Sequence, residues 1–221
     1  MRLILSRPPG FHYQPGQHVK MGLPGVLRTY SLVSAPHEAR LEFFVEVFPG
    51  GRLSQRLKTA RPGTPMALGD RAKGDLHVDT SRPNQLLIAT VTGIAPYVSF
   101  VRDHVHRTAR PVASGARRFV ILHGASFADE LGYDQELGAL ARRHPGFVTY
   151  VPTISRPENP RNTGWRGARG RVEAQIEPLL TRLGLTAADT AVFACGNPGM
   201  VRNVAEGFRR RGFAVQTEPF D

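Results

Sequence analysis

The sequence changes rhythm at Arg82-Pro83, and that change constrains the fold more than any single motif. Before it, RLILSR, GQHVKMGL, VLRTYSLVS, RLEFFVEVF, TPMALGD and GDLHVD are short strand-like segments. PPG, LPG, PGG and RPG break them at short intervals, as in an all-β barrel or sandwich. One short helix, GGRLSQRLKTA, fits between them, with Leu53 and Leu57 on one face. After Arg82-Pro83, apolar runs alternate with amphipathic segments. QLLIAT, RFVILHG, FVTYVPTIS and AVFACG read as buried strands, and FAVQTE closes the chain as a strand. PYVSFVRDHVHR, ELGYDQELGALARR, VEAQIEPLL and GMVRNVAEGFRRR read as helices. Strictly alternating strands and helices predict a doubly wound parallel sheet. The expected architecture is therefore two-domain, β plus α/β: an antiparallel β-barrel over residues 1–81, then a doubly wound parallel-sheet α/β domain over residues 82–221.

At ~150 residues per domain, 221 residues accommodate two small domains. The single cysteine, Cys195, excludes an internal disulfide framework, a four-cysteine iron–sulfur site and a cysteine-rich zinc site. The eight histidines form no HExxH and no paired ligand spacing, so no metal is expected. No apolar run approaches the ~20 residues of a membrane helix, and MRLILSRPPG lacks the apolar stretch of a signal peptide. A soluble, cytoplasmic, monomeric protein is the expectation. The 29 Lys+Arg against 18 Asp+Glu give a net charge of +11, and all the cations but Lys20, Lys58 and Lys73 are arginine. Such a balance suits an acidic partner or a phosphate-bearing cofactor, or else an arginine-rich solvated surface. No RRM, KH or zinc-finger pattern accompanies it, so nucleic acid is not the expected partner.

Several constellations fall where strands end. ATVTGIAP, residues 89–96, turns a buried strand into a helix, with Pro96 suited to the first turn. It reads equally as a structural turn or as a phosphate site at a helix N-terminus. Cys195-Gly196-Asn197-Pro198-Gly199-Met200 ends another buried strand in the same way; its thiol reads as a core residue or as a site residue. Ser155-Arg156 ends FVTYVPTIS, and Arg171 lies beyond a long loop. Two arginines suit a phosphate monoester, and a solvated rim is the plainer reading. In Arg28-Thr29-Tyr30-Ser31, Arg28 and Tyr30 share a strand face, as a phosphate and ring site or as an edge-strand pair. Gly50-Gly51, before a helix carrying Ser54, offers backbone donors. Gly124-Ala125-Ser126-Phe127-Ala128 resembles a nucleophile elbow, but only His144 follows it, so no triad can be ordered.

RTYSLVS, GGRLS, TVTGIAP, ELGY, SR, GRV, CGNPGM and TEPF occur in an order that resembles the ferredoxin–NADP reductase family, most closely its bacterial ferredoxin/flavodoxin–NADP reductase branch, over nearly the whole chain. The resemblance implies an FAD-binding barrel before an NADP(H)-binding domain, with ferredoxin or flavodoxin as the acidic electron carrier. By position it implies that Arg28 meets the FAD pyrophosphate, that Tyr30 stacks on the flavin and that Ser31 lies near its N5. Gly51, Arg52, Leu53 and Ser54 would hold the pyrophosphate, and Thr92 and Gly93 would lie between flavin and nicotinamide. Cys195 would border the nicotinamide, with Gly196 and Met200 shaping the pocket. Ser155, Arg156 and Arg171 would serve the nucleotide, the two arginines binding its 2′-phosphate. Glu218 and Phe220 would stand beside the flavin. Tyr30, Ser31, Cys195 and Glu218 are the residues expected nearest the chemistry.

Three features depart from that pattern. The family barrel begins one strand earlier than RLILSR, which implies a barrel short by one strand or a late start codon. Ser126 stands where the bacterial branch often carries an arginine. GWRGARGRV resembles a loop of NADH-dependent oxygenase reductases, whereas Arg156 and Arg171 favour NADPH. The alternatives are an NADH-dependent flavin reductase serving an oxygenase, and a non-catalytic flavin- or nucleic-acid-binding module.

Overall fold

The computed structural model describes residues 1–47, 49–108 and 117–219. The chain forms two compact units: Met1–His77 together with the helix α2 (Ala95–Thr108), and Val78–Ile94 together with residues 117–219.

In the first unit, β2 (His18–Leu23) pairs antiparallel with β3 (Val26–Ser31) and with the two-residue β5 (Ala67–Leu68). β1 (Arg2–Ser6) pairs antiparallel with β4 (Arg40–Phe44), and a Leu32–Phe43 bridge joins the two pieces. The expected strand GDLHVD, residues 74–79, is not a strand: the only bridge near it among the described residues, His18–Lys73, falls one residue before it, and the His77 ring lies 2.6 Å from the Asp75 carbonyl. Inward-facing Val19, Met21, Leu41 and Phe43 are buried with Leu53 and Leu57, the two apolar residues of α1 (Arg52–Leu57). Alternation along the strands thus meets one helical stripe in one core.

A buried polar network ties α2 into this unit. The Ser99 hydroxyl donates to the Ser34 carbonyl at 2.8 Å, and the Tyr13 hydroxyl reaches Ser34 Oγ at 2.9 Å. Glu42, on β4, takes Arg102 of α2 at 2.7 Å and Arg2 Nε at 2.7 Å. Arg102 also lies 3.4 Å from Glu38. The helix periodicity of PYVSFVRDHVHR is met; its polar partners are upstream.

The second unit is a six-stranded parallel sheet of order β11-β10-β6-β7-β8-β9. Its strands are β6 (Asn84–Thr90), β7 (Arg118–Ala125), β8 (Val148–Ile154), β9 (Ala168–Arg169), β10 (Thr190–Gly196) and β11 (Ala214–Pro219). β9 has no counterpart in the sequence reading. Leu86, Ile88, Val120, Leu122, Val192 and Ala194 form one sheet face, buried with Ile176 and Leu180 of α4 (Val172–Leu183) and Val204 and Phe208 of α5 (Pro198–Arg210). On the other parity, Leu87, Ile121 and Phe193 are equally buried, which is why these strands read as unbroken apolar runs. The helix α3 (Asp134–Arg143) starts later than the sequence suggests, because Tyr133 takes a left-handed φ of 64°. No described helix is long and apolar enough to cross a membrane.

Strand order reverses between β6 and β10. Ligands of open parallel sheets bind outside the carboxyl ends at that point.

Removing one partner of a buried ion pair costs about 3 kcal/mol. Glu42→Ala is therefore expected to lower the unfolding free energy, read from a urea titration, by that order, because Arg102 is left buried beside the more distant Glu38. A loss under ~0.5 kcal/mol would show the network to be a surface arrangement.

Candidate functional site

At the switch point, two loops are pressed together backbone to backbone. β6 runs into a 3₁₀ turn, Val91–Ile94, and β10 runs through Gly196 into α5. A Cβ placed on Gly93 would sit 2.2 Å from the Cys195 carbonyl oxygen and 2.9 Å from the Gly196 nitrogen. Gly196 has φ +123°, and a Cβ there would sit 2.3 Å from Thr90 Oγ1. Both positions therefore require glycine. Thr90 Oγ1 accepts from the Asn197 N–H at 2.8 Å, which locks the two strand ends. Asn197 then caps α5, its Oδ1 accepting from Gly199 N at 2.9 Å and Met200 N at 3.2 Å. Thr92, Gly93, Cys195 and Gly196, singled out in the sequence, are thus brought together.

Cys195 is fully buried. Burial, and then the charge of Glu218, push its thiol well up, so it is protonated at neutral pH. Glu218 stands opposite Cys195 in the β10–β11 register. A neutral, enclosed thiol is no nucleophile. Met200 is buried in the core beneath α5. Phe220 lies outside the described residues.

Ser155 and Arg156 follow β8, and Arg171 follows β9, whose Ala168 and Arg169 pair with Thr153 and Ile154. Arg156 and Arg171 thus extend from the ends of neighbouring parallel strands, and both are exposed. The Arg156 guanidinium lies over the Phe127 ring at 5.5 Å, and Arg161 lies over it at 4.1 Å. Arg161 is held by Asp129, 2.9 Å from Nε, whereas Arg156 and Arg171 have no carboxylate partner among the described residues.

Asn162 escaped the sequence reading. It is 3% exposed and ties three loop segments together: Nδ2 donates to the Arg156 carbonyl at 2.7 Å and the Ser126 carbonyl at 3.1 Å, and Oδ1 accepts from Ala128 N at 2.8 Å. A single buried asparagine inside a Pro/Arg/Thr/Gly turn has no periodicity to betray it. The Trp165 indole donates to the Ala168 carbonyl at 2.9 Å, so that residue closes its own loop.

In the first unit, Arg28 and Tyr30 lie on β3 opposite Met21 and Val19. Arg28 is exposed and without a carboxylate partner among the described residues; its Nη1 donates to the Leu27 carbonyl at 2.8 Å. Tyr30 is half-buried against the barrel core, and burial raises its phenol against the opposing charge of Arg28. Ser31 is buried. α1 packs on β2 and β3, which brings Gly51–Ser54 to the same strands. Gly51 is the N-cap, preceded by Gly50 at φ +80° with open space where a Cβ would lie. Arg52 is exposed; Leu53 and Ser54 are buried, Ser54 Oγ turning to the Gly51 carbonyl at 3.5 Å.

Such a barrel and such a sheet define a flavin- and pyridine-nucleotide-binding oxidoreductase. The model of the oxidoreductase FAD-binding domain matches residues 1–71, and that of the oxidoreductase NAD-binding domain matches residues 87–206. A ferredoxin–NADP reductase A of Sorangium cellulosum is 33% identical over 226 residues, covering 96% of this chain and 78% of that protein. A flavodoxin/ferredoxin–NADP reductase of Escherichia coli is 31% identical over 208 residues, covering 88% and 78% respectively. Among solved structures, a ferredoxin–NADP⁺ reductase from Neisseria gonorrhoeae superposes with a TM-score of 0.82 at 24% identity, covering 99% of this chain and 91% of that one; this likeness is one of fold. An Amycolatopsis cytochrome P450 reductase superposes at 0.75 with 27% identity, covering 99% of this chain and 64% of the other. The chain belongs to the ferredoxin/flavodoxin–NADP reductase family.

Gly93→Ala forces a methyl into the Cys195 carbonyl. Overpacking of this kind costs about 1–3 kcal/mol. The substitution is expected to lower the unfolding midpoint accordingly, and a midpoint unchanged in a urea titration would mean that the two loops are not in contact.

Proposed function

We propose that the protein is an FAD-dependent oxidoreductase that moves a hydride between NADP(H) and flavin and single electrons between flavin and a ferredoxin or flavodoxin. The observation that carries this reading is the switch-point platform, where Gly93 meets Cys195–Gly196 with no room for a side chain. The donor set supports both dinucleotides. Arg28, Arg156 and Arg171 are exposed guanidiniums with no carboxylate among the described residues, while Arg161 and Arg169 face Asp129 and Glu158. Phosphate needs such unpaired forks.

The chemistry bound FAD supplies is the conversion between a two-electron hydride and single electrons. The chain supplies binding and orientation. Arg28 and the Gly50–Gly51 amides offer charge and donors to a pyrophosphate, and the Tyr30 ring offers an apolar face to a flavin. The glycine platform gives a flat backbone surface to a nicotinamide, and the neutral Cys195 thiol adds no charge beneath it. Arg156, held at its carbonyl by Asn162, and Arg171 together fork a 2′-phosphate. We assign FAD to residues 1–81 and the pyridine nucleotide to residues 82–221, with α2 counted structurally among the first unit. The net charge of +11 suits an acidic carrier, whose encounter it steers.

Anaerobic addition of NADPH should bleach the flavin absorbance of the purified protein. Bleaching by NADH alone would move the reading to an oxygenase reductase, and a protein that takes up no flavin would remove it. A hydrogen bond to a charged group contributes ~1.5–3 kcal/mol. Arg156→Ala is therefore expected to raise the KM for NADPH about tenfold or more and to leave that for NADH within about twofold; equal rises would end the 2′-phosphate assignment. Tyr30→Ala should weaken FAD retention on gel filtration, and full retention would refute its stacking role.

A further inference from the structure

His123 sits on β7, an interior strand of the parallel sheet, and is completely buried. Both ring nitrogens have partners. Nε2 lies 2.9 Å from the Val91 carbonyl oxygen, and Nδ1 lies 3.2 Å from the Tyr150 hydroxyl on β8. A carbonyl only accepts, so Nε2 carries the hydrogen, and Nδ1 in the neutral ring accepts from Tyr150. The phenol stays protonated for that purpose, since burial and Asp134 push it up. Burial pulls the ring down to about 4, against the Val91 hydrogen bond, so the imidazole is neutral at working pH.

Its target is the strained residue of the site. Val91 has φ +46°, a left-handed conformation that a β-branched side chain avoids. It begins the 3₁₀ turn containing Thr92 and Gly93, the residues set against Cys195 and Gly196. Strained backbone persists only where its surroundings over-determine it. A strand neighbour that grips the Val91 carbonyl supplies such a constraint from outside the turn.

We infer that His123 is a positioning residue: through its Nε2 hydrogen it holds the Val91 turn, and thereby the Thr92–Gly93 platform on which the nicotinamide lies. The last step rests on the proposed function. Tyr150 in turn fixes the tautomer. His123, fully enclosed, acts only through the Val91 carbonyl.

The holoenzyme and its His123→Leu, His123→Gln and Tyr150→Phe variants test this. Glutamine carries its amide NH₂ close to the position of Nε2; leucine fills the space without a donor. In the wild type, nitrogen NMR should show an Nε2-protonated ring that does not titrate between pH 5 and 8. Rapid mixing with NADPH should show flavin bleaching slowed about 100-fold in His123→Leu, the scale of an ångström-sized misplacement, and within about fivefold of wild type in His123→Gln. Tyr150→Phe should fall between wild type and leucine. Affinity for 2′,5′-ADP, which lacks the nicotinamide, should stay within about twofold throughout, a split that general destabilisation would not produce.

A titrating or Nδ1-protonated ring, a glutamine variant no better than leucine, or 2′,5′-ADP affinity falling in step with the rate would each overturn the inference. Should His123→Leu not fold, the order wild type, His123→Gln, Tyr150→Phe decides it, and equal rates would refute it. A flavin-loaded wild type that neither NADPH nor NADH bleaches would instead sink the proposed function. Faster hydrogen exchange at the Thr92 and Gly93 amides in Tyr150→Phe than in wild type would still support the anchor, and unchanged exchange would refute it.

Discussion

Everything at the switch point depends on one close approach, the backbone of Gly93 against the backbone of Cys195 and Gly196. Neighbouring strands lie ~4.8 Å apart, so loops leaving their ends diverge unless something draws them together. Here that is done by removing side chains. Gly93 has none, Gly196 has none, and Thr90 spends its hydroxyl on the first amide beyond β10. The result is a surface of peptide groups at the one place where the sheet offers a crevice.

The surrounding loops are organised by a second device, the side-chain amide or imidazole that bonds to main chain: buried in Asn162 and His123, exposed at the helix cap in Asn197. Asn162 collects Ser126, Ala128 and Arg156, Asn197 closes the start of α5, and His123 reaches the Val91 carbonyl. Each satisfies backbone groups that a loop would otherwise leave to water. Each also removes a degree of freedom from a segment flanked by an arginine or glycine of the candidate site. Loops can present functional groups only when a rigid frame positions them, and in this chain the frame extends into the loops through these three side chains.

The second half of the fold was legible because a strand buried on both faces must be apolar throughout. QLLIAT, RFVILHG and AVFACG became β6, β7 and β10 for that reason. GDLHVD alternates as a strand should, yet β2 begins at His18, whose bridge to Lys73 falls one residue short of the segment, so pairing depends on where β2 starts rather than on local pattern. The periodicity of α2 specified a helix but not its company: Ser99 and Arg102 find Ser34, Glu38 and Glu42, which no local window contains. The same limit applies to the site. CGNPGM and TVTGIAP were visible as strand ends, and their mutual contact follows from strand order. Asn162 and His123 were invisible, since a polar residue in a loop or an apolar run declares its partners only in three dimensions.

Charge completes the picture. With 29 basic and 18 acidic side chains, the cations outnumber the carboxylates by 11, and where the carboxylates are placed sorts the cations into two kinds. Arg102 and Arg161 hold Glu42 and Asp129, and those pairs build the barrel network and the loop beside Phe127. Arg28, Arg156 and Arg171 meet no carboxylate among the described residues and face solvent. A guanidinium already committed to a carboxylate must loosen that bond to take a phosphate, whereas one facing water exchanges only hydration. Arg156 and Arg161 make the distinction locally. Both lie over the same ring, so both are oriented, but only Arg156 keeps its charge free. The excess of arginine is therefore not spread evenly in its consequences: ion pairs fix the loop beside Phe127, while Arg156 beside it is left to solvent.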